Sequence, residues 1–159
     1  MDSSDSCGHP DSPALTLRNT IVANTMANGH SAAENCNGSR HSIFPYDGGN
    51  NVSDDDSCGF EVANDSLSNT DPLLDLNGFP TANGFPSGLQ DNGGPTMTIA
   101  LREDSPAIDA IEQGANACAT DITEDKRGVM RLQNGNSDGT SGCDLGAFET
   151  EDDIAPPSA

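Results

Sequence analysis

The chain has 159 residues, enough for one ordinary domain, with 26 acidic residues against six basic ones and a net charge of −20. That balance excludes nucleic acid and anionic membrane surfaces as natural partners, because both require a basic patch. Apolar residues make up only 33% and Trp is absent, so a large core is excluded too.

Short apolar runs nevertheless recur between turn residues, the texture of an all-β chain with short strands or of a thin-cored solenoid. Residues 1–13 are polar and predict a flexible segment. PALTLRNTIVANT follows, with Leu15, Leu17 and Ile21 in one parity. It predicts a strand, a bend at Asn19 and a second short strand, since Asn tolerates left-handed backbone. Equivalent Asn residues in a β-solenoid stack from coil to coil, whereas an ordinary hairpin turn uses the same residue alone.

Residues 24–42 read as a polar loop bearing Cys36. GGNNVSDDDSCGF, Gly48 to Phe60, opens on a tight corner, continues through Val52 and enters an acidic turn. NTDPLLDLN gives a third apolar piece. Residues 77–88 carry NGFP twice, and their Pro and Gly content excludes regular structure, which predicts a surface loop. DNGGPTMTIALREDSPAIDA is the most organised stretch. It predicts a corner, a strand with Met97, Ile99 and Leu101 on one face, and a turn back at Ser105-Pro106. No segment shows sustained helical periodicity, so helix content is predicted to be low. The acidic, Pro-rich residues 150–159 predict a disordered tail.

Four pieces carry a resemblance: TLRNTIVAN with Asn35-Cys36; GGNNVSDDDSCGF; DNGGPTMTIALREDSPAIDA; and KRGVMR followed by CDLGAFE. In this order they resemble the C-terminal portion of secreted bacterial right-handed parallel β-helix proteins, the group called choice-of-anchor Q. Residues 14–149 are covered. The chain departs from that pattern in the inserted NGFP loop and in the longer approach ATDITEDK before Arg127-Gly128. The resemblance implies an all-β fold: a right-handed parallel β-helix fragment with a C-terminal cap, in which Arg127, Cys143 and Phe148 fold over the exposed end. It implies no defined reaction. Met1 is followed by DSSDSCGHP, which is not a signal peptide, so a fragment of a longer exported chain, or a misplaced start, is expected.

The five cysteines show no C-x-x-C spacing and the His residues are scattered, which does not suggest zinc. Their loop contexts predict the bridges Cys36–Cys58 and Cys118–Cys143, with Cys7 free or paired outside the chain. Each bridge closes a loop of about 20 to 25 residues, worth roughly 3 kcal/mol in the chain-entropy model.

Candidate sites are few. Asp54, Asp55 and Asp56 suggest calcium, a cation that takes several oxygen ligands, but they lack the alternating spacing of a dedicated loop. NSDGTSGCD has a similar flavour. Asp91, Asp109, Asp121, Asp125 and Asp144 are available for glycoside hydrolysis, although nothing in the sequence makes two converge. His9, His30 and His41 read as surface residues. GxSxG and phosphate loops are absent. Asn51-Val52-Ser53 fits the glycosylation acceptor pattern.

The expectation is a non-catalytic structural or adhesive segment of a secreted or cell-surface protein. Its expected partners are polysaccharide or cell-surface material, with no membrane span in this chain. The alternatives are the end of a polysaccharide lyase or glycoside hydrolase whose site lies upstream, and a calcium-dependent carbohydrate-binding module.

Overall fold

A computed structural model describes residues 15–23, 34–36, 45–78 and 88–152. Among these residues helix is confined to two single 3₁₀ turns, Val62–Asn64 and Ala115–Ala117. Strands are short: β1 (Thr16–Leu17), β2 (Ile21–Val22), β3 (Tyr46–Asp47) and β4 (Val52–Ser53). β1 pairs with β3 and β2 with β4, both parallel, and Leu67 adds a further parallel bridge to Val52. Parallel pairing of non-consecutive strands requires the chain to leave, cross over and return in the same direction. The chain therefore traces one path twice, strand, corner, strand, one pass above the other.

The corner explains the path. Asn19 and Asn50 hold the equivalent positions and both adopt left-handed backbone, with φ of 52° and 51°. Asn pays less for this than other side chains because it bonds locally. The Asn19 N–H donates to Gly49 O at 3.2 Å, and the Asn50 N–H passes the pattern on to Asn64 O at 3.0 Å. The next residue, Asn51, is fully buried. Its Oδ1 accepts from the Thr20 N–H, while its Nδ2 donates to Leu17 O and to Asp47 Oδ1. Side-chain amides thus satisfy backbone groups that a sharp corner takes out of the ladder.

Ile21, Val52 and Leu67 stand in one register and form an apolar row. Against it packs the core of the C-terminal part, with Leu101, Ala107, Ile108, Ile111, Cys118, Cys143 and Leu145. SPAIDA is central to this layer. Ser105 Oγ donates to Pro72 O and accepts from the Ala107 N–H, so a serine turn delivers Ala107 and Ile108 into the interior. Two disulfides are present, Cys36–Cys58 and Cys118–Cys143, with Cα separations of 4.8 and 5.9 Å. They point to folding in an oxidising environment. No helix among the described residues is long and apolar enough to cross a membrane.

The strand expected across Met97–Leu101 is corrected. The chain makes isolated antiparallel bridges there, Gln90 to Thr98 and Leu74 to Leu101. Thr98 is buried and Met97 is 53% exposed. Two different partners, one on each side of Ile99–Ala100, break the alternation on which the inward parity rested. Leu15 is also outward, at 54% exposure; Leu17, Ile21 and Ile99 are half-buried, and only Leu101 is buried. The predicted insertion at 77–88 falls mostly outside the described residues. Its two ends abut: a Cβ on Gly78 would lie 2.4 Å from Leu89 O and 2.5 Å from the Gly88 carbonyl carbon, which is why Gly stands there. Residues 1–13, Cys7, the three His and most of the tail also lie outside the described residues.

Candidate functional site

The densest polar chemistry lies in the C-terminal part, where four carboxylates replace regular sheet pairing. Glu149 is fully buried. Its Oε1 accepts from the N–H groups of Leu132 and Gln133, at 3.1 and 3.5 Å. Its Oε2 accepts from the Asp144 N–H and from Arg131 NH1, at 3.0 and 2.9 Å. Asp144, 1% exposed, accepts from the N–H groups of Asp109 and Thr150. Asp109 in turn gathers the N–H groups of Gly135, Asn136 and Gly142. Asp125 takes those of Arg127, Val129 and Glu149, and its Oδ2 lies 2.8 Å from Arg127 Nε. The Arg127 guanidinium also donates to Glu149 O and stacks 3.8 Å from the centre of the Phe148 ring. Loops without a ladder need acceptors for their N–H groups, and these carboxylates supply them.

Titration follows from these surroundings. Burial raises the Asp144 and Glu149 carboxyls above their ordinary range, and each is pushed further by a neighbouring carboxylate, Asp109 for the first and Asp144 for the second. Burial also works upward on Asp125, but the Glu149 N–H and the Arg127 guanidinium outweigh it and hold Asp125 low. Asp47 is lowered in the same way, burial being overcome by the Glu61 N–H, the Ser66 hydroxyl and the Asn51 amide.

The structure brings Asp109 and Asp144 together with Asp125 nearby, a convergence the sequence did not reveal. Glu149 and Arg131 were missed as site residues. The signal available was a charged residue closing the apolar run GAF and an Arg spaced four from Arg127. Asp91 accepts from the Gly93 N–H in an exposed turn, and Asp121 is exposed. Asp55 accepts from Ser57, Ser53 and the Asn35 N–H, and Asp54 from Asn35 Nδ2, which fixes the acidic turn against Asn35-Cys36. Asp56 is exposed. No group of three or more His, Cys, Asp or Glu among the described residues is arranged to hold a metal ion.

A cavity of about 490 Å³ opens where the first corner meets the C-terminal layer. Arg18 and Asn19 wall one side; Ile111, Asn116, Ile122 and the Cys118–Cys143 bridge wall the other. Asn19 Nδ2 donates to Asn116 O, and Asn116 Nδ2 to Asn50 Oδ1, so an amide chain ties the two sides together. The Gly146 N–H adds a bond to Asn19 O at 3.0 Å. Comparison with known families, with characterised proteins and with solved structures finds no match to this chain.

Proposed function

We propose that the chain forms terminal coils of a right-handed parallel β-helix closed by its C-terminal part. In this reading it serves a structural or adhesive role in an exported, surface-exposed protein that contacts polysaccharide or other cell-surface material. The observation that carries the reading is the repeated corner. Asn19 and Asn50 share a left-handed conformation and lie in register between parallel strand pairs, and Leu67 continues the stack. Two disulfides and a strongly acidic surface suit an extracellular setting. A non-catalytic role is supported by the carboxylates, whose oxygens are engaged by backbone N–H groups instead of facing a cleft.

Two measurements test this. Interstrand proton contacts by NMR are expected between residues 16 and 46, 21 and 52, and 52 and 67; antiparallel contacts at these positions would overturn the coil reading. Purified protein is expected to release neither reducing nor unsaturated ends from acidic or neutral polysaccharides. Turnover abolished by substituting Asp109, Asp125 or Asp144 with the fold intact would overturn the non-catalytic role.

A further inference from the structure

Three Asn-Gly pairs fall among the described residues: Asn77-Gly78, Asn92-Gly93 and Asn134-Gly135. Asn before Gly is the pair most open to a reaction of its own, in which the Gly nitrogen attacks the Asn Cγ. Glycine, with no Cβ and free backbone rotation, gives that attack the least steric resistance. In a folded chain two conditions decide whether it proceeds. No acceptor must hold the Gly N–H, and the Asn amide must be free to turn toward it.

Two of the three pairs are held on both counts. The Gly93 N–H donates to Asp91 Oδ1 at 3.2 Å, and Asn92 Nδ2 donates to Thr98 O and Oγ1 at 3.2 and 3.1 Å. The Gly135 N–H donates to Asp109 Oδ1 at 3.4 Å, and Asn134 Oδ1 accepts from the Gly139 N–H at 3.3 Å. Asn77 differs. Among the described residues no acceptor takes the Gly78 N–H. Asn77 Nδ2 donates to Asp75 Oδ1 at 2.7 Å, but this bond lies at the surface, where water replaces it at little cost. Asn77 also lines a solvent-open cleft of about 800 Å³ with Asp75, Arg102 and Glu103, so water reaches it.

We propose that Asn77 is a site of self-modification, deamidating through a cyclic imide ahead of Asn92 and Asn134. The bond from Gly78 N to Asn77 Cγ forms, the Cγ–Nδ2 bond breaks, and Nδ2 leaves as ammonia with the Gly78 amide proton. Water then opens the ring. Opening at Cγ leaves aspartate; opening at the main-chain carbonyl leaves isoaspartate, with the chain running through Cγ. Either product sets a carboxylate where an amide donated to Asp75. Isoaspartate also lengthens the main chain by one atom where it has least room, since a Cβ on Gly78 would already lie 2.4 Å from Leu89 O. The close passage of Gly78 beside Gly88 and Leu89 is then lost. The site needs nothing from the coil reading above.

The test is timed incubation of the full chain in mildly alkaline buffer, with each site followed by peptide mass and isoaspartate located by electron-transfer fragmentation. A reduced, urea-unfolded sample supplies the rate each pair has without the fold, and there the three are expected to react alike. In the folded chain Asn77 is expected to keep its unfolded rate. Asn92 and Asn134 are expected to react at least about fivefold more slowly, the factor for one held hydrogen bond. Hydrogen exchange of the isoaspartate fraction should rise at residues 75–78 and 88–90 and stay unchanged around Ile108 and Ile111. Asn92 or Asn134 reacting as fast as Asn77 in the folded chain, Asn77 slowed as much as they are, or unaltered exchange at 75–78 and 88–90 would each overturn the proposal.

Discussion

Single side chains in this protein stand in for secondary structure. Glu149 is the extreme case, a fully buried carboxylate collecting three backbone N–H groups and one guanidinium nitrogen. Glu149→Gln keeps the shape but leaves Arg131 buried without its counter-charge. The expected loss is about 3 to 5 kcal/mol in urea unfolding. Asn51→Ala, at the second corner, removes an acceptor from Thr20 and a donor from Leu17 and Asp47, and is expected to cost about 2 to 4 kcal/mol. Little of this was readable beforehand. Asn19 and the Gly-Gly-Asn-Asn corner were, because left-handed backbone selects a short list of residues. Glu149 was not, because three of its four partners are backbone N–H groups, which every residue except proline carries and which leave no mark in the sequence.

Among elements, the β1–β2 corner came through intact from sequence while Met97–Leu101 did not. Alternation predicts which way side chains face only where one partner strand runs the whole length. At Thr98 the partner is Gln90 and at Leu101 it is Leu74, so the pattern MTIAL describes no single sheet. The cysteine pairs were accessible because they sit in Gly- and Asn-rich turns near segments that had to return. The two bridges should differ in consequence. Cys118 and Cys143 lie in the core, at 2% and 1% exposure, and the bridge closes a span of 25 residues. Replacing both by Ser should cost the loop term of about 3 kcal/mol plus the burial of two hydroxyls, read as the largest drop in unfolding midpoint of any paired Cys variant. Replacing Cys36 and Cys58 should instead raise hydrogen exchange mainly around residues 34–36 and 53–58.

For the whole molecule, two sets of carboxylates pull stability in opposite directions with pH. Asp47, Asp55 and Asp125 are lowered in the folded state, burial in each case being outweighed by hydrogen bonds, so their contribution is present above about pH 4 and is lost as pH falls through their folded values. Asp144 and Glu149 are raised, so theirs is present below about pH 4 and is lost as pH climbs through their folded values. Self-repulsion at −20 deepens the neutral-side loss. The urea midpoint is therefore expected to peak in mildly acidic solution, between about pH 4 and 6, and to fall on both sides. Raising NaCl from about 0.01 to 1 M at pH 7 should raise the midpoint, because screening acts on the repulsion more than on the buried network. A flat response to both pH and salt would mean that the acidic surface is energetically neutral.

Asn51-Val52-Ser53 is also the acceptor pattern for N-linked glycans, and its two polar side chains are both buried, at 0% exposure. Glycosylation enzymes read the chain as it emerges, before Asn51 has reached its place beneath Leu17 and Thr20. An oligosaccharide attached then would bar the corner from closing. Production in a yeast or mammalian secretory host should consequently divide the product in two: an unmodified folded fraction, and a glycosylated one that is retained or degraded. Production in a bacterial periplasm, where that modification is absent and disulfides still form, should give the folded species alone.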